Sequence, residues 1–320
     1  MPEGVEVRRY ADMISKHTKG KLLTDIQILA GRYKTHKEFE GYDLLKSHLP
    51  LKLKSSQTKG KLIYLTFTSS KKDKETESEF YLLSTLGLSG GWTFTDVAYQ
   101  SEAILMSLDD FDMPKVVEYA GAKTLREYHI KTLDHLNVRF EFKGHGELYF
   151  FDTLSFGTLK ATNDIKILEK KLKELGSDIL DDTTTDDVFI KQLRKKTYAT
   201  KAIGNVIVNQ KVIAGIGNYL RADGLWMARI SPFRKVADLT DKQLEDIFKA
   251  IKILVLGDYD IHEGKKQGYI MADTRLPTYY KRDFFVYREK TDVDGNPVHK
   301  DELFEGSQKR YIFWCPKVQH

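Results

Sequence analysis

Cysteine is almost absent: one residue, Cys315, in 320. A single thiol excludes an intrachain disulfide framework and a four-cysteine zinc site. No run of 18 apolar residues occurs, which argues against a membrane-spanning helix. The N-terminus, MPEGVEVRRY, is charged at once and lacks the apolar stretch of a secretory signal, so a soluble, intracellular protein is expected, in a compartment left open. Glycine and proline number only 22 and 7, too few for a low-complexity chain. Net charge is also modest, +5, and by itself names no partner. What is present is 41% apolar residue content, enough for one large domain or two ordinary ones to bury a core without staples.

A helix is expected from Pro2 to about His17. Proline suits a first turn, and Val7, Tyr10, Ala11 and Ile14 recur at helical spacing. Glu3 and Glu6, three apart, would share a face, and Thr18-Lys19-Gly20 ends the helix. Strand signals then dominate to about residue 160. KLIYLTFT (61–68) and FYLLSTL (80–86) flank a charged loop, SSKKDKETESE. Val138, Phe140 and Phe142 alternate with Arg139, Glu141 and Lys143, as in a half-buried antiparallel strand. His145 falls in the following turn, and 147–151 returns.

Near LGSDILDDTTTDD (175–187) the chain becomes acidic and threonine-rich, and reads as a linker. Helical periodicity follows, with Thr240 as N-cap of a helix carrying Leu244, Ile247, Ile251 and Leu254. FFVYRE (284–289) and RYIFW (310–314) read as two strands around a turn at Asp294-Gly295-Asn296. Between Phe189 and Lys235 stand ten Lys/Arg and one acidic residue, Asp223. That local excess suits either a phosphate-tracking face or a solvated helical surface.

Three features carry chemistry. Met1 precedes a small residue and is expected to be removed, leaving Pro2 as a secondary amine that can attack a sugar C1′ and form an iminium. Glu3 and Glu6 follow at once, suited to proton transfer and to stabilising positive charge; the plainer reading is a helix start with favourable acidic residues. Gly215-Ile216-Gly217-Asn218 reads as a tight turn opening a helix, whose N–H groups with the Asn218 amide could hold a phosphate, or as an ordinary helical corner. Arg310, beside Tyr311, Phe313 and Trp314, could reach a phosphate or be an ordinary surface arginine.

In this order the motifs resemble the Fpg/Nei family of DNA glycosylases (formamidopyrimidine-DNA glycosylase and endonuclease VIII). MPEGVEVRR is similar to the family's N-terminal signature, TKGKLIYL (58–65) to its catalytic-lysine strand, LGLSGG (86–91) to a conserved turn and LGSDIL to its interdomain segment. NQKVIAGIGNYLRADGLWMARISP (209–232) resembles its helix-two-turns-helix motif, and DFFVYRE, GNPV and KRYIFWCPKVQ its C-terminal finger. The resemblance implies an α+β fold of two domains: an N-terminal antiparallel β-sandwich flanked by helices (1–174), the linker (175–187), a helix-two-turns-helix domain (188–270) and a β-hairpin finger region (271–320).

It implies a bifunctional DNA glycosylase and AP lyase of base excision repair, acting on damaged DNA as a monomer without cofactor. Pro2 would be the nucleophile, Glu3 a proton shuttle and Glu6 a stabiliser of the iminium. Lys61, Asn218 and Arg310 would bind phosphates, with Lys61 also catalytic. Leu88, Leu154 and Phe156 would fill the void left by the flipped nucleotide. The finger's four zinc positions correspond to Val298, Asp301, Cys315 and Val318, so a zincless finger held by aromatic packing is expected. Asp223 replaces a usual glutamate, and residues 109–136 look like an insertion. The expected substrates are oxidised pyrimidines and further-oxidised purines; an 8-oxoguanine or formamidopyrimidine preference, or non-catalytic binding of damaged DNA, are the alternatives.

Overall fold

The computed structural model describes residues 2–69, 78–94, 135–144, 146–260, 284–305 and 308–320. Most of the charged loop after residue 69, His145 and the insertion up to residue 134 lie outside the described residues. The chain divides into two compact units, one of Pro2 with Glu6–Leu172 and one of Glu3–Val5 with Lys173–His320.

Helix α1 (Gly4–Thr18) opens the fold. Val7, Tyr10, Ala11 and Ile14 are all buried, as the 3.6-residue spacing requires. The helix begins later than expected. Pro2 and Glu3 precede it, so helical spacing does not stack Glu3 over Glu6. Gly20, at φ 80°, turns the chain away and its N–H donates to the Leu53 carbonyl.

Eight strands follow: β1 (Leu22–Ile28), β2 (Leu51–Lys59), β3 (Leu62–Ser69), β4 (Glu79–Thr85), β5 (Gly90–Thr93), β6 (Leu136–Phe142), β7 (Gly146–Asp152) and β8 (Thr158–Thr162). Between β1 and β2 lie two short helices, α2 (Gly31–Thr35) and α3 (Tyr42–Ser47). The strands form one sheet, order β5-β7-β6-β1-β2-β3-β4-β8, with every pairing antiparallel. The two halves are joined by little. Between β1 and β2 only Leu22↔Lys52 and Leu23↔Leu51 pair, and the register shifts beside that joint on both strands. Bulges of this kind bend a sheet. One apolar core draws on both halves: Ile63, Leu65 and Phe67 from one, Phe140, Phe150 and Trp92 from the other, with Tyr10 and Ile14 of α1. The sandwich is thus a single pinched sheet rather than two separate ones, and the alternation of Val138, Phe140 and Phe142 into the core is as read from sequence.

In the second unit, after α4 (Ile165–Glu174), the stretch expected to be a linker carries ordered structure. Strand β9 (Ser177–Asp178) pairs in parallel with β10 (Ile213–Ala214), Ile179 is fully buried, and the Thr185 hydroxyl caps α5 (Asp186–Leu193) by accepting from the Val188 N–H. An acidic, Thr-rich composition served turns and a cap here. Short α6 (Ile203–Val206) and α7 (Asn218–Met227) lead to α8 (Asp241–Asp260). Thr240 and Gln243 cap α8 reciprocally, each side chain accepting the other's backbone N–H at 3.2 and 3.0 Å. The core gathers Phe189, Leu220, Trp226, Leu244, Ile251 and Phe285. Among the described residues no helix is long and apolar enough to cross a membrane.

The C-terminal hairpin differs from its expected form. Strand β12 (Gln308–Trp314) pairs with β11 (His299–Glu305), not with 284–289. The segment 284–289 is a turn, because the N–H groups of Phe285, Val286 and Tyr287 all donate to the Asp223 carboxylate and are lost to any ladder. The turn at Asp294-Gly295-Asn296 is present, with Gly295 at φ 80°.

Candidate active site

Glu3 is anchored within the second unit, 1% exposed. Its carboxylate accepts the N–H groups of Gly217 (2.7 Å), Tyr219 (2.9 Å) and Leu220 (3.3 Å), at the start of α7. These are helix-start donors with no partner inside the helix, and negative charge there is favoured by the aligned peptide dipoles. The neighbouring Gly4 N–H donates to the Gly215 carbonyl at 2.8 Å. A Cβ on Gly4 would lie 2.9 Å from the Gly215 Cα, so the approach requires glycine. Gln210 braces the turn, donating to the Ile216 carbonyl and accepting from the Gly215 N–H. Pro2, one peptide bond before Glu3, is buried, and so is Glu6 in the first turn of α1.

This changes the reading of the GIGN turn. Two of the turn's N–H groups expected to cradle a phosphate are taken, Gly215 by Gln210 and Gly217 by Glu3, which also takes those of Tyr219 and Leu220. The Asn218 side chain stands half-buried at the first position of α7.

In the first unit, Lys61 is half-buried at the tip of the β2–β3 hairpin, after Gly60 at φ 55°. Leu88, Leu154 and Phe156 are 47%, 55% and 59% exposed, unusual for large apolar side chains in a folded domain. Their backbones are nevertheless pinned. Asp152 accepts from the Ser89 hydroxyl (2.6 Å) and from the Leu154 and Gly157 N–H groups, and the Ser89 hydroxyl in turn accepts from Leu154 N–H. Gly87 packs so closely that a Cβ would sit 2.7 Å from the Phe156 and Gly157 backbone. The two loops form one rigid platform presenting three apolar side chains.

Arg310 stands half-buried on β12, opposite Leu303. Close behind it is Arg221, fully buried on α7, donating to the Gly204 carbonyl and, at 2.6 Å, to the Tyr311 carbonyl. Burial pulls the Arg221 guanidinium down to about 10; the Glu3 charge opposes this and the Arg310 charge adds to it. Asp223, also on α7, holds Phe285, Val286 and Tyr287 at 3.1, 3.0 and 3.0 Å. Burial pushes its carboxyl up to about 7, against the pull of those three N–H groups. Asn205 donates to the Phe304 carbonyl on β11. Sequence reading missed the work of Asn205, Arg221 and Asp292 and noted Asp223 only as a mild replacement. For Arg221 and Asp223 the signal was weak: charged residues inside NYLRADGLW, a helix buried nearly all round.

The formamidopyrimidine-DNA glycosylase N-terminal domain matches residues 1–159, the formamidopyrimidine-DNA glycosylase H2TH domain residues 175–259 and the C-terminal domain residues 278–320. The chain belongs to the formamidopyrimidine-DNA glycosylase/endonuclease VIII family. It is therefore a DNA glycosylase and AP lyase of base excision repair. It is 27% identical to the formamidopyrimidine-DNA glycosylase of Listeria monocytogenes over 72% of this chain and 82% of that protein. It is 23% identical to Endonuclease 8 of Escherichia coli O157:H7 over the full length of both. The fold is similar to that of Lactococcus lactis formamidopyrimidine-DNA glycosylase non-covalently bound to AP-site DNA (TM-score 0.69, 19% identity, 99% of each chain). The Thermus thermophilus MutM protein is also similar (TM-score 0.67, 18% identity, 99% and 98%).

The zinc-binding form of this glycosylase family needs four ligands in the finger, and the residues here do not fit them. Val298 and Val318 offer only hydrocarbon; the Asp301 carboxylate accepts from the Trp314 indole at 2.6 Å; Cys315 is buried. The finger is held by other means. Asp292 accepts from the Asp294 and Asn296 N–H groups, the Asn296 amide and the Trp226 indole. Trp226 stacks on Phe285 at 5.1 Å, and Gln319 bridges Cys315 N–H to the Ile230 carbonyl. Aromatic contacts Phe233–Trp314 and Tyr287–Phe313 complete it, so the expected aromatic packing is joined by a carboxylate hub.

Proposed function

We propose that this glycosylase excises oxidised pyrimidines and further-oxidised purines through an iminium at Pro2, then cuts the strand by β,δ-elimination. The observation that carries the proposal is the fixed start of the chain: Glu3, next to Pro2, is locked by three backbone N–H groups. A nucleophile one peptide bond from so firm an anchor has little freedom to lose in reaching a reactive position.

The Pro2 nitrogen, freed of Met1, adds to C1′ of the flipped nucleotide. The C1′–N bond to the base breaks, and the base leaves with the electron pair and takes up a proton. The ring opens to an iminium, whose positive charge Glu6 stabilises. Loss of a proton from C2′ expels the 3′-phosphate, Glu3 moving protons in these steps. A second proton loss expels the 5′-phosphate, and water hydrolyses the iminium to release Pro2. Lys61, Asn218 and Arg310 hold phosphates and act by charge and hydrogen bonding; Lys61 also assists the chemistry. Leu88, Leu154 and Phe156 enter the space of the extruded nucleotide, as apolar wedges do. The enzyme works as a monomer on damaged DNA. End-to-end similarity to Endonuclease 8 and a finger without zinc ligands favour the pyrimidine-directed reading.

Borohydride reduction on a duplex with an abasic site tests this. The Met-free protein should be trapped covalently, and Pro2→Gly should abolish trapping. Absence of trapping would leave a damage-binding protein. Cleavage assays across a lesion panel decide the substrate, and faster cutting at 8-oxoguanine than at oxidised pyrimidines would overturn the proposed preference.

A further inference from the structure

An apolar wedge that takes the place of an extruded nucleotide leaves that nucleotide's partner base unpaired. The wedge of this chain has no polar side chain of its own to offer that base. The cation bonded to it comes from elsewhere. Arg32, on α2, donates from Nη1 to the carbonyl of Ser155, the residue between Leu154 and Phe156, at 3.2 Å. Its Nη2 donates to the Tyr33 hydroxyl at 3.1 Å, and that hydroxyl accepts the Leu159 N–H at 2.7 Å. The guanidinium lies 4.9 Å over the Tyr33 ring. Ser155 itself is held at φ 58°, a left-handed conformation uncommon for serine.

Arg32 is half-buried, and among the described residues no carboxylate pairs with it. A guanidinium has five N–H donors in a fixed fork. Two point at Ser155 and Tyr33; among the described residues no carboxylate takes up the others, which lie beside the wedge. The hydrogen bonds to Ser155 and Tyr33 fix the fork in place.

We infer that Arg32 reads the base left unpaired opposite the lesion, and sets the enzyme's preference among opposite bases. This rests on the wedge reading of Leu154 and Phe156. A donor-only fork seeks two adjacent acceptors. Cytosine offers N3 and O2, and guanine O6 and N7; adenine sets its donor amino group beside the acceptor on both its Watson–Crick and its major-groove edge. Cytosine and guanine are therefore favoured opposite the lesion, and adenine is disfavoured.

The test is single-turnover excision of one lesion placed opposite each of the four bases and in a single strand. Wild type should cut faster opposite cytosine or guanine than opposite adenine, by about tenfold, the lower part of the range for a bidentate arginine–base pair. Arg32→Gln should bring the four duplex rates within about twofold, Arg32→Lys should fall between, and the single-strand rate should not move. A uniform loss on every substrate, single strand included, would make Arg32 a scaffold and overturn the inference, as would a wild type indifferent to the opposite base. The double variant Leu154→Ala/Phe156→Ala should slow all duplexes alike with their order kept. Wild-type duplex rates in that variant would instead refute the wedge, a failure distinct from that of Arg32.

Discussion

Replacing Asp223 with asparagine removes a charge from the middle of α7 at almost constant volume. Asp223 is wholly buried, and its Oδ1 accepts from Val286 and Tyr287 while Oδ2 accepts from Phe285. Burial, with the nearby Glu3 charge, raises its carboxyl from the ordinary 3.8 to about 7. The sign follows from linkage. Between about pH 4 and 7 the unfolded chain releases this proton and the folded chain keeps it, so folding stability falls as pH rises through that window. At roughly 1.4 kcal/mol per pH unit, the full rise is worth about 4 kcal/mol, lost by pH 7 and constant above it. Asparagine cannot titrate, so it lacks this slope. It has its own cost, since the amide turns a donor toward the Phe285 N–H, leaving buried donors unpaired at about 1–3 kcal/mol each.

The variant should therefore be the less stable protein at pH 4.5 and should close most of the gap by pH 8. Urea unfolding of both proteins at half-unit pH intervals measures the difference, and subtracting the two curves cancels every other titrating group. Parallel curves between pH 4 and 7 would refute the reasoning, and would mean that the three N–H groups keep Asp223 ionised throughout.

Glu3→Ala should strand the N–H groups of Gly217, Tyr219 and Leu220, and lower stability by several kcal/mol at about 1–3 each. Glu3→Gln, which keeps one acceptor oxygen, should melt closer to wild type yet lose base excision, seen by comparing thermal melts with glycosylase rates. Leu154→Ala and Phe156→Ala, more than half exposed, should change urea stability by no more than about 0.5 kcal/mol while slowing excision from duplex. Asp292→Ala should cost about 3 kcal/mol by freeing the four donors it gathers. It should open 290–298 to limited proteolysis and weaken duplex binding, whereas a chelator should leave the wild-type melt unchanged.

Elements whose stabilising partners are close in sequence were legible. The buried stripe of α1, the alternation through 138–142 and the Thr240 cap each depend on spacing within a few residues. FFVYRE was not, although its aromatic and branched residues favour a strand. Its N–H groups go to Asp223, some sixty positions earlier, and tertiary hydrogen bonding overrides β-propensity. The order within 175–187, a stretch read as a linker, was not legible for a related reason: its ordering partners are β10 and a cap, which composition does not report. The pinch between β1 and β2 leaves no mark in either strand's pattern. As candidates, the motifs named Pro2, Glu3, Glu6, Lys61, Asn218 and Arg310, but not their surroundings. Glu3 meets partners 214 to 217 positions away, which is why the turn read as a phosphate cradle is already filled by a carboxylate.

Helix α7 explains why charged residues survive in so buried a place. Its start holds Glu3, Arg221 holds the Tyr311 carbonyl beside Arg310, Asp223 holds 285–287, and Trp226 reaches Asp292. Apart from Trp226, these charged groups end on backbone atoms, so each fixes the path of a segment while leaving its side chains free for other duties. Burying such charges is expensive, and replacing a well-made buried pair by hydrocarbon is often neutral or better for stability. Stability alone therefore does not account for them. Position does: one helix sets the start of the chain, the root of the finger and the strand bearing Arg310. Here the finger is tied to α7 itself, so an error in the finger is also an error at Glu3's helix, and the strand bearing Arg310 and the start of the chain depend on the same ten-residue element.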